Sequence, residues 1–100
     1  MNARAKSITQ AVKIARERDG RCLECGAKEG LTGSHLLKRN SPFRRNDPTD
    51  PEFIFGQCMR CHYRFEPLSP EKRIAYLEQI GLDDLADKLR WLTDCTRGTR

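Results

Sequence analysis

Between residues 7 and 19, in SITQAVKIARERD, apolar side chains recur at Ile8, Ala11, Val12 and Ala15 with polar and charged residues between them. Steps of three and four put them on one face of a helix, opened by Ser7 or Thr9 and ended by Gly20. CLECG then reads as a tight turn. LTGSHLLK, whose apolar content is Leu31, Leu36 and Leu37, predicts a short strand. From Asn40 to Glu52 the text is NSPFRRNDPTDPE, whose three prolines and turn formers predict a loop that is basic at its start. FIFGQ is short, apolar and aromatic, and predicts a second strand. A helix follows from about Met59 to Phe65, stopped by Pro67. Ser69-Pro70-Glu71 opens another, with proline at the first helical position and an acid in the first turn. Ile74, Leu77 and Ile80 give this helix a buried face, and Gly81 closes it. A last helix over 83–94 carries Leu85, Leu89 and Leu92 on one side, and the polar tail CTRGTR is expected to fray. The order of elements, without internal repeats, predicts a small α+β chain of one domain.

Composition narrows this picture. Of 100 residues 37% are hydrophobic and 33% charged, so the core is modest, and a chain of this size commonly needs a staple such as a metal. No apolar run approaches the roughly 20 residues of a membrane span. MNARAKSITQ has no apolar stretch of the secretory kind, so the expectation is a soluble, cytoplasmic protein. The formal charge of +5 is uneven: residues 1–45 hold eleven Lys/Arg against four Asp/Glu, whereas residues 46–100 hold eight against ten. A basic half is the usual footprint of a polyanion, DNA or RNA. Ordinary solubilising charge is the plainer alternative.

Five cysteines in a reducing compartment point to metal or catalysis rather than disulfides. Cys22-x-x-Cys25 and Cys58-x-x-Cys61 are matched pairs, and a two-residue gap lets both thiolates of one turn face a single tetrahedral ion. Together they would complete a structural zinc site closed to substrate, whose binding energy substitutes for missing core. Gly26 and Gly56 are read as supplying the backbone freedom of the two turns. Cys95 is left over, as a helix-face thiol without a role.

The chain has two histidines, His35 and His62, both inside the region the cysteines frame. Thirty-two residues separate Cys25 from Cys58, enough for a hairpin with a long loop. Zinc would then bring the helix near Cys61 against the strand carrying His35, so that both imidazoles face one cleft. The residues CLECG…GSHLLKR…FGQCMRCHYRF resemble an HNH nuclease, the ββα-metal type with framing cysteine pairs. They are most similar to small phage-type members, including the endonuclease VII-like branch. The resemblance covers roughly residues 20–66, between the N-terminal helix and the helices of 69–94. It implies a treble-clef-like core, DNA hydrolysis and a phage-encoded protein acting in a bacterial host. His35 then matches the general base, and His62 the histidine that binds the catalytic divalent ion. Glu66, one helical turn from His62, can share that ion, and a carboxylate suits Mg²⁺ or Mn²⁺.

The chemistry is coherent in its own terms. An imidazole titrating near neutrality can take a proton from water. A divalent ion can bind a phosphate oxygen and stabilise the leaving alkoxide. Lys38, Arg39, Arg44, Arg45 and Arg64 would grip the nucleic-acid backbone. Two positions depart from the family. Ser34 stands where a ligating acid or histidine is usual, and Phe53 stands where the central asparagine is expected, with Asn46 and Glu52 as the nearest substitutes. The same residues also admit plainer roles: His35 as a bonded strand-edge histidine, His62 as packing against the zinc turn, Glu66 as a solvated acid, and KRNSPFRR as a solvated loop. Phe43 fits either a base stack or a core anchor. The alternative functions are a non-catalytic zinc module that binds nucleic acid, and a protein-interaction adaptor built on the acidic C-terminal helices. Leu82, Leu85, Leu89 and Leu92 with Trp91 offer surplus apolar surface, which predicts a homodimer through those helices.

Overall fold

Ser7 opens the first helix from extended backbone, its hydroxyl accepting the Gln10 N–H at 3.1 Å. That bond satisfies one of the amides a first turn leaves free. Helix α1 spans Ile8–Asp19 and stops at Gly20, whose φ of 70° lies in the left-handed region that favours glycine. The structure, a computed structural model, describes residues 7–94. The tail CTRGTR, with Cys95, lies outside the described residues.

Strand β1 (Leu31–His35) pairs antiparallel with β2 (Ile54–Cys58), Leu31 opposite Cys58 and His35 opposite Ile54. The first strand is shorter than LTGSHLLK implies. Leu36 and Leu37 leave the ladder and turn into the core, where both are buried. A 3₁₀ turn, Pro51–Phe53, capped by the Asp50 carboxylate, feeds β2. Helix α2 (Met59–Phe65) follows β2 directly, so the middle of the chain runs strand, strand, helix. Helix α3 (Pro70–Gln79) starts at Ser69, whose hydroxyl accepts the Lys72 N–H, and α4 (Asp83–Asp94) has two acids in its first turn. Both ends suit the positive end of a helix dipole. The result is a small α+β fold with a two-stranded sheet and four α-helices among the described residues. None of these helices is long and apolar enough to cross a membrane.

The principal core gathers Leu36, Leu37, Phe55, Phe65, Leu77, Ala86, Leu89 and Leu92. Phe55 and Phe65 meet edge to face at 5.3 Å between centroids. Phe43 packs against this core, which is the anchoring role rather than an exposed stacking platform. Leu89 and Leu92 are buried in it, and Leu82 and Leu85 lie against it. Of the apolar surplus expected on the last helices only Trp91 stays exposed, and it stacks on Phe53 beneath the Arg45 guanidinium.

Helix α1 covers the sheet at a pair of facing glycines, Gly33 and Gly56. A Cβ on Gly33 would lie 2.9 Å from both Ile54 and Val12 side-chain carbons, and one on Gly56 would lie 3.0 Å from the Arg21 carbonyl oxygen. Gly56 therefore serves close packing. Its φ is not positive, so the expected role as a flexible residue of the second cysteine turn is corrected; of these two glycines only Gly26, in the first turn, has a positive φ, 84°. The Gly56 N–H donates to the Asp19 carboxylate at 2.7 Å and its carbonyl accepts the Leu23 N–H at 2.9 Å. These bonds cover the outer edge of β2.

One buried cation joins the halves. Arg73 of α3 donates to the carbonyl oxygens of His35 (3.0 Å), Leu36 (2.9 Å) and Leu68 (2.9 Å), and also to that of Glu66. Its guanidinium lies 4.7 Å from the Phe65 ring centre. A fork of donors fits four carbonyls, which a lysine ammonium cannot match. Arg73→Met should therefore lower unfolding free energy by about 3 kcal/mol, and Arg73→Lys should not restore it. Urea denaturation of the zinc-loaded protein measures this, and a loss under about 1 kcal/mol would show the fork to be dispensable.

Candidate metal centre and adjoining cleft

The first turn after α1 is built to aim two sulfurs. Cys22 exchanges backbone bonds with the other end of its loop, its N–H donating to Ala27 and its carbonyl accepting from Gly26, both at 2.8 Å. The Cys25 N–H points at Cys22 Sγ at 3.4 Å. Cys58 ends β2 and Cys61 lies in the first turn of α2. The four sulfurs lie within 4.8 Å of one another, and Cys25 and Cys58 are 3.7 Å apart. Four ligands at the usual Zn–S length of about 2.3 Å form a tetrahedron with edges of about 3.8 Å. The cluster therefore fits the ion that the spacing implies and could hold zinc. Burial opposes charge on Cys22, but backbone amides of Cys58, Cys25 and Glu24 outweigh it and hold the thiol down to about 7. Burial among the other sulfurs pushes Cys61 up. The Arg64 guanidinium, 3.4 Å from Cys61 Sγ, brings positive charge to the sulfur cluster.

Next to this centre a cleft of about 660 Å³ is lined by His35, His62, Glu66, Lys38, Arg39 and Arg73, with Asn40, Pro48, Phe65 and residues of α1 and β1 completing it. Consecutive residues Thr32 and Gly33 both line it, which sets it along the free edge of β1. His35, the last residue of β1, is held by the Pro48 carbonyl, 3.1 Å from Nε2. That carbonyl is fixed in turn by Asp47, whose carboxylate accepts the Thr49 N–H (3.0 Å) and hydroxyl (2.7 Å). Burial pushes the His35 pKa below its ordinary 6.5; the Pro48 carbonyl opposes this, and Arg39, His62 and Arg73 add to it.

His62 follows Cys61 on α2 and is also pushed down, first by burial and then by Arg73, with Glu66 acting in the other direction. Its Nδ1 lies 2.7 Å from the hydroxyl of Ser34, and that hydroxyl is 2.6 Å from Gln57 Oε1. Ser34 and Gln57 are both fully buried. Gln57 Nε2 donates in turn to Glu24 at 3.0 Å, and the Tyr76 hydroxyl lies 2.7 Å from both oxygens of that carboxylate. Ser34 is thus a partner of His62 from behind, rather than a ligand facing the cleft.

His35, His62, Glu66, Lys38 and Arg39 line one cleft, although the ligand atoms there do not gather as the thiols do. Among the described residues the four cysteines are the only cluster of three or more His, Cys, Asp or Glu drawn together in this way. The other basic residues are spread out. Arg44 is exposed on the loop, Arg45 stacks on Trp91 and donates to its carbonyl, and Arg64 sits between Glu24 and Cys61. Neither proposed substitute for the central asparagine lines the cleft: Asn46 donates to the Lys38 carbonyl, Glu52 pairs with Lys88, and Phe53 stacks on Trp91. Of the residues that hold the histidines, Pro48, Gln57, Glu24 and Arg73 carried no sequence signal, because each acts through a contact with a distant segment, whereas Asp47 bonds locally to Thr49 and was legible only as a turn former. Comparison with protein-family models, curated proteins and solved structures finds no match for the chain.

Proposed function

We propose that the chain is a metal-dependent endonuclease of the HNH type, hydrolysing phosphodiester bonds in DNA. The observation that supports it best is the convergence of His35, His62 and Glu66 on one basic-rimmed cleft, at a strand–strand–helix unit closed by four cysteines. A carbonyl oxygen can only accept, so Pro48 takes the Nε2–H of His35, and in the neutral ring the lone pair is on Nδ1. Burial among positive groups keeps that ring neutral at pH 7, the state a general base needs. Nδ1 then removes the proton of the attacking water, with the ring angle set by the Asp47–Thr49 turn. His62 and Glu66 would hold Mg²⁺ or Mn²⁺, which supplies charge neutralisation at the phosphate and leaving oxygen. Lys38 and Arg39, both exposed at the rim, bind flanking phosphates without reading sequence.

The test is plasmid nicking by zinc-loaded protein with added Mg²⁺ or Mn²⁺. The rate should climb with pH through an apparent pKa below 6.5 and then level, because only neutral His35 can accept a proton. If duplex, single-stranded and branched DNA all stay intact with every common divalent ion, the proposal is wrong. A second function, nucleic-acid binding without cleavage, draws support from the cleft having two ion ligands where Ser34 contributes none. It predicts salt-sensitive binding that His35→Ala leaves unchanged.

A further inference from the structure

We propose that Glu24, Gln57 and Ser34 act as a positioning chain that fixes His62 as its Nδ1–H form, leaving Nε2 as the nitrogen offered to the cleft, and that ties this choice to the Cys22–Cys25 loop. The direction of each bond follows from the one before it. An ionised carboxylate can only accept, so the Gln57 side-chain atom 3.0 Å from Glu24 must be the amide nitrogen. Turning that amide over would set two acceptors against each other, so the carboxylate fixes it. Oε1 of Gln57 therefore faces Ser34, and it too can only accept, so the Ser34 hydroxyl donates its single proton there at 2.6 Å. What Ser34 has left for His62 is a lone pair. The imidazole atom 2.7 Å away must then carry a hydrogen, whatever the charge of the ring. In the neutral ring Nε2 has the lone pair, and it has no protein hydrogen-bond partner among the described residues.

The middle of the chain is closed to solvent. Ser34 and Gln57 are both buried, on β1 and β2, and no buried side-chain polar atom among the described residues lacks a partner. Its far end is anchored at the metal centre. Glu24 lies between Cys22 and Cys25 in sequence, and Arg64 reaches both the Glu24 carboxylate (3.5 Å) and Cys61 Sγ (3.4 Å). Tyr76 of α3 holds the same carboxylate from the other side. Closing the tetracysteine loop therefore sets Glu24, and Glu24 sets the sense of every bond up to His62. Partners of this kind commonly hold a ligating histidine and raise its basicity. In this chain a serine beside the base position, which resembles a lost ligand in sequence, orients one instead. The use of Nε2 toward an ion rests on the nuclease proposal, whereas the tautomer does not.

The test is long-range ¹H–¹⁵N NMR of histidine-labelled, zinc-loaded full chain at a pH where His62 is neutral. Wild type should show Nδ1 of His62 as the protonated nitrogen and Nε2 as the bare one. Gln57→Leu frees the Ser34 hydroxyl to donate to His62, so the tautomer should invert to Nε2–H. Ser34→Ala removes the acceptor and should give a mixture, and Ser34→Thr, which keeps a hydroxyl, should restore the wild-type pattern. Mn²⁺ titration followed by broadening of the His62 signals should weaken by about ten- to a hundredfold in Gln57→Leu. A bare Nδ1 in wild type overturns the proposal outright, without reliance on any variant folding. An unchanged tautomer in folded Gln57→Leu does so too. Correct tautomers in a protein that cuts nothing would leave the chain of bonds standing and remove the nuclease proposal alone.

Discussion

If the four cysteines hold zinc as their geometry allows, stripping it at neutral pH should unfold the protein, and readded Zn²⁺ should refold it. The apparent binding free energy of a structural tetracysteine zinc is about 10–16 kcal/mol. Net stabilities of small domains are about 5–15 kcal/mol. A bound zinc would therefore contribute as much as the whole net stability of a typical small domain. Its position makes the loss global. The cluster joins the turn after α1 to the end of β2 and the start of α2, and its own apolar surroundings are slight, with Ala27 and Leu31 packed against Cys22, Cys58 and Cys61. Without the ion, sulfurs that crowd one another are held together by nothing of comparable strength. Far-UV circular dichroism during titration with a chelator measures the effect, and Cys61→Ser should reproduce it at any zinc concentration that saturates wild type. A chelated chain that still melts cooperatively within a few degrees of the loaded one would show that the core around Phe55, Phe65 and the leucines is sufficient.

The contrast between what the sequence disclosed and what it concealed follows the range of the interactions. Helix α1 was legible to within a residue because its signals are local: Ser7 caps it, Ala11 and Ala15 are buried one turn apart, and Gly20 ends it. The same holds for α3 and α4, and for the cysteine pairs, whose spacing carries the ligand geometry within one turn. The end of β1 was not legible. Leu36 and Leu37 alternate with nothing, and only the presence of the α3–α4 core decides that they leave the ladder. Gly56 was misread because nothing local distinguishes a glycine needed for a positive φ from one needed beneath a helix. In the cleft the histidines could be found from the resemblance and the cysteine frame. Their supports could not. Pro48 acts through a backbone carbonyl, available to any residue, and Arg73 binds carbonyls 37 and 38 positions away. Ser34 is legible in sequence only as a place without a ligating side chain, and its bonds to Gln57 and His62, 23 and 28 positions away, are not.

His35→Ala should lower DNA cleavage by about 10²–10⁴-fold, the range a positioned general base commonly supplies. That corresponds to about 3–5 kcal/mol in the barrier. The cost to folding should be far smaller. The side chain makes one hydrogen bond, to the Pro48 carbonyl, worth about 1 kcal/mol, and the cysteine cluster and principal core do not include it. Activity and stability thus separate by a margin that a merely structural histidine would not give. The pH dependence separates them further. Because burial sets the folded-state pKa below 6.5, the unfolded chain binds the proton first as pH falls. Wild type keeps the full contribution of His35 above about 6.5 and loses it on acidification through the folded-state value, whereas the alanine variant should lack this part of the acid-side decline. Added imidazole offers the sharper test, since truncation leaves room beside Pro48 for a free ring. Cleavage by His35→Ala should recover in proportion to the neutral fraction of imidazole, and should not respond to an amine of similar size but higher pKa. A rate within about tenfold of wild type, or a loss that imidazole does not touch while the protein remains folded, would remove His35 from the role of base.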